Sequence, residues 1–313
     1  MQSSAVIIKE PKVIALEQVR IDELGDTDVA VEMEWSGIST GTEKLLWSGR
    51  MPNFPGMGYP LVPGYESVGR VIHAGKKTHL ELGARVFVPG AKCFGDVRGL
   101  FGGSASHVVL PESRVTQLDE SLGEEGVLLA LAATAYHVTG GDVEKQPDLI
   151  IGHGVVGRLL ARIAALKGQQ VTVWETNPER MAGAIGYHVT QPEKDDCKQY
   201  KIICDASGDA KLINTLIGRM NFQGEIVLAG FYEESISFMF APAFMKEMRM
   251  RIAAQWQPSD LVAVQELIAN QQLNLSGLIT HHGNPSNAQE AYQTAFTDTQ
   301  CLKMVLNWKN GNE

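Results

Sequence analysis

Cysteine is scarce in this 313-residue sequence, and its four copies, Cys93, Cys197, Cys204 and Cys301, lie far apart with no C-x-x-C pair. That spacing signals neither a disulfide framework nor a cysteine-based zinc site, and it suits a reducing cytoplasm. Basic clusters are missing too: 27 Lys and Arg stand against 36 Asp and Glu, a net charge of −9. With no Lys/Arg block to neutralise a run of phosphates, no nucleic-acid partner is expected. Long apolar runs are absent as well. The stretch from Val127 to Tyr136 is about ten residues, well short of the roughly 20 that a transmembrane helix needs. The start, MQSSAVIIKEPKVIAL, lacks a basic segment followed by a long apolar run and does not read as a signal peptide. The expectation is a soluble protein with no integral membrane segment.

What is present is the composition of an ordinary globular α/β protein: 44% hydrophobic, 20% charged, 32 glycines. The length favours two domains. From Ala5 to about Arg114, short apolar stretches (AVIIKE, VAVEMEW, SVGRVIHAG, ARVFVPG, ASHVVLP) are separated by Gly and Pro, the pattern of a small β barrel or sandwich. Near Glu124 the pattern changes. EEGVLLALAATAYHVT has helical spacing, and strand-like segments then alternate with helix-length ones: DLII, VVGRLLARIAALKG, QQVTVWE, NPERMAGAIG, HVT, KIICDASG, a helical stretch at 210–220, GEIVLAG and RMRIAAQW. Six strands with helical crossovers predict a doubly wound parallel sheet. The tail from Leu278 reads strand, helix, strand and is expected to fold back onto the first domain. The predicted division is therefore 1–120 completed by 272–313, with 121–271 inserted.

Gly152-His153-Gly154-Val155-Val156-Gly157 is a G-x-G-x-x-G that follows the strand DLII and opens a helix. In that context it predicts a dinucleotide site. Gly152 permits the tight turn, Gly154 lets backbone approach a pyrophosphate, Gly157 lets helix and strand pack, and the helix N-terminus faces the phosphates. Glu175, ending the next strand, is placed to accept from ribose hydroxyls. Against the 2′-phosphate of NADP it would repel by roughly 4 kcal/mol at about 4 Å and an effective dielectric of about 20, so NAD is the expected cofactor. Arg180 is the counter-argument. Ser207 and Gly208 in CDASG, and Gly230 in IVLAG, are expected at the carboxyl edge of the sheet, completing the cofactor wall.

A β-rich domain, a helix carrying Thr134-Ala135-Tyr136-His137, a G-x-G-x-x-G unit and a returning C-terminal piece together resemble the medium-chain dehydrogenase superfamily over essentially the whole chain. The resemblance implies a Rossmann domain inserted into a GroES-like catalytic domain. Within the superfamily, SGISTGTEKLL and PGMGYPLVPGYESVG are similar to the bacteriochlorophyllide a dehydrogenases. Zinc-dependent members have G-x-C and G-H-E where this chain reads Gly37-Ile38-Ser39 and Gly64-Tyr65-Glu66. A hydroxyl and a neutral phenol are poor zinc ligands, so no metal is predicted. His281 and His282, adjacent on a strand, point to opposite faces and do not share a metal.

The resemblance implies oxidation of a 3-(1-hydroxyethyl) group on a bacteriochlorophyllide to 3-acetyl, with hydride passing to NAD. Such a reaction needs a proton acceptor and donors that steady developing charge. The candidates are Tyr65, Glu66, Thr42 and Ser39. As a base Tyr65 would need its pKa lowered from about 10 towards 7, with Lys44 helping. For Glu66 a structural ion pair weighs as much as a base, and His137 is expected to be a hydrogen-bonded core histidine. For the large flat substrate, Trp47, Arg50, Phe54 and Tyr59 in LLWSGRMPNFPGMGYP and Phe231 in FYEESISFMFAPAFMKEM are candidate contacts, Arg50 for a propionate. The second segment also reads as a homodimer interface through strand pairing and apolar contacts, which weighs slightly more than the pocket reading. Competing readings are a metal-free enone or quinone reductase and an NAD-binding sensor without turnover.

Overall fold

Short strands occupy the Gly- and Pro-punctuated first third of the chain in the computed structural model, which describes residues 1–139 and 146–309. β1 (Gln2–Glu10) and β2 (Val13–Arg20) form an antiparallel hairpin, followed by the long β3 (Asp28–Ile38) and a short helix α1 (Thr42–Ser48). Then come β4 (Leu61–Val62), β5 (Ser67–Ala74), β6 (Arg85–Val88), β7 (Arg98–Gly99), β8 (His107–Pro111) and β9 (Thr116–Gln117). The order β2-β1-β4-β7 makes a four-stranded sheet.

Helix α2 (Leu129–Thr139) leads into β10 (Leu149–Ile151), α3 (Val155–Leu166), β11 (Thr172–Trp174), β12 (His188–Thr190), β13 (Tyr200–Asp205), α4 (Ile213–Arg219), β14 (Met220–Leu228), α5 (Phe240–Met245), β15 (Arg249–Ile252) and α6 (Pro258–Ala269). Six of these strands form one sheet in the order β12-β11-β10-β13-β14-β15, parallel at every pairing. This is the doubly wound parallel sheet expected from the sequence. β10 is buried along its whole length, as strands of a parallel sheet covered on both faces are. The chain ends with β16 (His281–Gly283), α7 (Ala288–Thr297) and β17 (Met304–Asn307). β17 pairs antiparallel with β3, completing a seven-stranded sheet, β16-β17-β3-β5-β6-β9 with β8 also on β3. Two units result: Met1–Ala130 with Leu278–Glu313, and Leu131–Gly277.

One predicted element is replaced. NPERMAGAIG was expected as a helix, but only the three-residue turn Pro178–Arg180 is helical, of 3-10 type. Gly183 and Gly186 adopt φ of +86° and +79°, which a right-handed helix does not accommodate. In place of a helix, the buried Arg158 of α3 donates to the carbonyls of Arg180 and Ala182 at 3.0 and 2.9 Å. These bonds satisfy backbone groups that a crossover helix would have paired internally.

Candidate active site

In the first unit the two positions that carry zinc ligands in metal-dependent members of the superfamily come together as a hydroxyl pair. Ser39 follows the end of β3, and Tyr65 lies between β4 and β5. Their oxygens are 2.7 Å apart. Gly64 makes the turn before Tyr65: its φ is +101° and a Cβ there would lie 2.7 Å from the Ser104 nitrogen. Gly37 is equally required, because a Cβ on it would come within 2.7 Å of the Glu66 carboxylate. Thr42, the first residue of α1, stands near the Tyr65 phenol and favours its ionised form. Tyr65 meets Phe101 edge-on at 5.4 Å between centroids.

The Tyr65 phenol is pushed well above its ordinary range, first by burial and then by the Glu66 charge. The expected lowering with help from Lys44 is therefore reversed: next to buried carboxylates, ionisation of the phenol is opposed. At neutral pH Tyr65 is a neutral hydroxyl that can donate and accept.

Glu66 is fully buried and ion-pairs with Lys303, Oε2 to Nζ 2.6 Å, while the ammonium also donates to the Ile38 carbonyl at 3.1 Å. Glu66 Oε1 has no hydrogen-bond partner. Three further residues, Glu43, Tyr292 and Lys303, escaped the sequence reading. Glu43, also fully buried, accepts from the Ser39 amide at 3.3 Å and shares a hydrogen bond with the Tyr292 hydroxyl at 2.8 Å. Tyr292 and Lys303 come from the C-terminal piece of the same unit. One signal for Lys303 was available: it interrupts the otherwise apolar CLKMVL, in which every side chain is buried.

The second unit assembles the glycine loop as the motif predicts. Gly152 turns with φ +94°, and a Cβ on Gly157 would lie 1.9 Å from the Gly152 carbonyl oxygen, so helix and strand close only over glycine. Gly154 is the N-cap of α3, Val155 and Val156 are its first two residues, and a Cβ on Gly154 would meet nothing within 4 Å. That open space above unpaired helix N–H groups fits a pyrophosphate. Ser207 is fixed by Asp205, whose Oδ1 accepts from its amide and hydroxyl at 2.8 and 2.6 Å. A Cβ on Gly152 would stand 3.6 Å from Ser207 Cα, and one on Gly230 would stand 2.8 Å from the Gly208 nitrogen. The four residues thus converge at the carboxyl ends of β10, β13 and β14.

His153 is fully buried. Its Nδ1 lies 2.6 Å from the Arg180 carbonyl and its Nε2 lies 2.8 Å from the Tyr187 hydroxyl. A carbonyl only accepts, so Nδ1 carries the proton and Nε2 accepts from Tyr187. Burial pushes the imidazole down to about 4. Glu175 accepts from the His153 amide at 3.1 Å and from the Thr176 and Asn177 amides, each at 2.8 Å. Three of its roughly four acceptor sites are thereby used, which leaves about one for a ligand hydroxyl.

The candidate substrate contacts scatter. Trp47 is half-buried against Phe296, with centroids 5.3 Å apart, and Tyr59 donates to the Leu46 carbonyl, so both face the core of the first unit. Arg50 and Phe54 are exposed there, and Phe231 is exposed in the second unit. His137 pairs with Asp260 at 2.8 Å. His281 and His282 turn to different partners, Asp298 and Glu124.

Residues 25–120 match the alcohol dehydrogenase GroES-like domain family. The structure superposes on L-idonate 5-dehydrogenase of Escherichia coli with a TM-score of 0.85 at 19% identity, covering 98% of each chain. Proteins of Rhodobacter capsulatus and Cereibacter sphaeroides, both named 2-desacetyl-2-hydroxyethyl bacteriochlorophyllide A dehydrogenase, are 54% and 52% identical, each over 99% of both chains. With full-length identity at that level and a Rossmann unit set into a GroES-like one, the chain belongs to the bacteriochlorophyllide dehydrogenase family of the medium-chain dehydrogenases.

Proposed function

We propose that the protein oxidises the 3-(1-hydroxyethyl) group of a bacteriochlorophyllide to 3-acetyl, with NAD as the oxidant and without a metal. The full-length identity to the two relatives named for this activity carries the reading. NAD, when bound, supplies the hydride acceptor, and the open space at Gly154 and the convergence of Gly152, Ser207, Gly208 and Gly230 fit it. Glu175 favours NAD over NADP, because its charge stands where the 2′-phosphate would come. The guanidinium of Arg158 donates to three carbonyls, those of His153, Arg180 and Ala182.

The donor set argues against zinc. Ser39 and Tyr65 bond to each other, burial keeps the phenol protonated, and Glu66 is held by an ammonium. In this reading the hydroxyl pair does the proton work. The substrate hydroxyl gives its proton to Ser39 Oγ in the same step in which Ser39 releases its own towards solvent, and the Tyr65 phenol donates to the substrate oxygen as charge develops there. Trp47 and Tyr59 support this region from the core, and the exposed Arg50 and Phe54 are the contacts this unit offers to the pigment. Four free thiols, three of them buried, suit a cytoplasmic setting.

A homodimer is part of the reading. β15 is an edge strand, and beside it Phe222, Phe238, Phe240, Phe244, Met245 and Met248 line a groove of about 560 Å³. An open edge next to exposed aromatics favours a second copy of the chain.

The test is to incubate the purified protein with 3-(1-hydroxyethyl) bacteriochlorophyllide a and NAD or NADP, following pigment absorption and NADH. Turnover with NAD at less than stoichiometric zinc is expected. No turnover with either cofactor overturns the reading, turnover only with NADP overturns the role of Glu175, and a strict zinc requirement overturns the metal-free chemistry.

A further inference from the structure

The hydroxyl pair is held by something the reaction itself does not touch. Glu43, in the first turn of α1, lies four residues beyond Ser39 and is wholly buried. One carboxyl oxygen accepts the Ser39 amide at 3.3 Å and the other meets the Tyr292 hydroxyl of α7 at 2.8 Å. An acidic side chain without solvent is costly unless it is paired or neutral. Of the charged groups facing it, Lys303 is already taken by Glu66 at 2.6 Å, and Glu66 itself adds like charge. Tyr65 and Tyr292 are neutral phenols. Two carboxyl groups therefore share one ammonium in a space closed to water.

We propose that Glu43 is a positioning residue for the alcohol oxidation, acting as the neutral acid: its carboxyl clamps the Ser39 backbone to α7 and so fixes the Ser39–Tyr65 hydroxyl pair. This inference rests on the reading that the pair receives the substrate oxygen. Burial pushes the Glu43 carboxyl up to about 8, with the Glu66 charge adding to the rise and the Tyr292 hydrogen bond opposing it. Below that pH the cluster of Glu43, Glu66 and Lys303 is electrically neutral. Above it, a second carboxylate opposes the negative charge that develops on the substrate oxygen, so turnover falls as Glu43 ionises.

Glu43→Gln keeps an oxygen for the Ser39 amide and an N–H for Tyr292, but cannot ionise. Glu43→Leu removes both contacts. Infrared spectra of the full chain between about pH 6 and about pH 10 should contain a protonated-carboxyl band at neutral pH that disappears on alkalinisation and is absent from Glu43→Gln. Exchange of the Ser39 amide should be slow in the wild type and in Glu43→Gln, and at least about tenfold faster in Glu43→Leu. In turnover, Glu43→Gln should stay within about threefold of wild type at neutral pH and lose the alkaline decline, whereas Glu43→Leu should lower kcat at least about tenfold with KM for NAD unchanged. No protonated band at neutral pH, equal Ser39 exchange in all three proteins, or Glu43→Gln as impaired as Glu43→Leu would each overturn the proposal. If the wild type oxidises no pigment, the functional reading fails by itself, and the infrared and exchange results still decide whether Glu43 is a neutral clamp.

Discussion

Lys303 Nζ and Glu66 Oε2 meet at 2.6 Å with 1% and 0% of their side chains exposed. The pair ties the C-terminal piece to the segment before β5, and through the Ile38 carbonyl to the end of β3. Removing one partner of such a pair leaves an uncompensated buried charge, at a cost of about 3–5 kcal/mol, while replacing both with apolar side chains is often close to neutral. Glu66→Leu and Lys303→Met should each lower the unfolding free energy obtained from urea melts by that amount, and the double variant should recover most of the loss. Additive losses in the double variant would mean that the two residues stabilise the unit separately.

The glycine loop separates steric need from ligand need. Gly157→Ala places a methyl where the Gly152 carbonyl oxygen stands 1.9 Å away, so it should lower the Tm of the protein without cofactor and weaken NAD binding. Gly154→Ala meets nothing within 4 Å. It should leave the Tm within about a degree of wild type, yet weaken NAD at least about tenfold by calorimetry, because the methyl fills the room a pyrophosphate needs. Unchanged affinity in Gly154→Ala would move the diphosphate elsewhere.

Much of this was legible in the residues because local chemistry and the global fold agree there. The six parallel strands, the glycine turn and the strand-helix-strand tail each carry their own punctuation, and Ser39 and Tyr65 stand in segments whose pattern is tied to a known site. The 176–187 crossover was misread because NPERMAGAIG has acceptable helical spacing, while the deciding partner, Arg158, lies a full element earlier in the chain. Glu43 was invisible for the same reason. In TGTEKLL it reads as a solvated acid at a helix start, and only α7, some 250 residues on, closes over it.

Glu175 tests cofactor choice. Its carboxylate accepts from three backbone amides, including that of His153 in the glycine loop. Glu175→Gln keeps the acceptor oxygen for part of that set while removing the charge. The ratio of kcat/KM for NAD over NADP should fall by about tenfold or more, since each 1.4 kcal/mol of repulsion lost is about a factor of ten. A ratio unchanged in the variant would assign the preference to another residue.

His153 makes the stability of the second unit sensitive to acid. Its folded-state pKa, pushed down to about 4 by burial, lies below the ordinary value of 6.5. The unfolded chain therefore binds more protons between those values, so the contribution is fully present above about 6.5 and is lost as the pH falls towards about 4. Urea midpoints at about pH 7, 5.5 and 4.5 should fall in that order, and His153→Asn should flatten the dependence relative to wild type. A parallel decline in both proteins would assign the acid sensitivity to other groups.

Tyr65 is where the metal-free chemistry is most exposed to refutation. Its hydroxyl is 2.7 Å from Ser39 Oγ, and its ring rests on Phe101. Tyr65→Phe keeps the ring contact and removes only the oxygen. If that oxygen donates to the substrate in the transition state, kcat should fall by about a hundredfold, in line with the loss of one well-placed donor, with NAD affinity unchanged. The phenol is held above its ordinary range, so no part of the pH–rate profile near neutrality should belong to Tyr65, and the profile that remains in Tyr65→Phe should keep its wild-type shape. A profile that loses a limb in the variant would make Tyr65 a titrating base, and near-normal kcat would make it a packing residue for Phe101, with another group donating to the substrate oxygen.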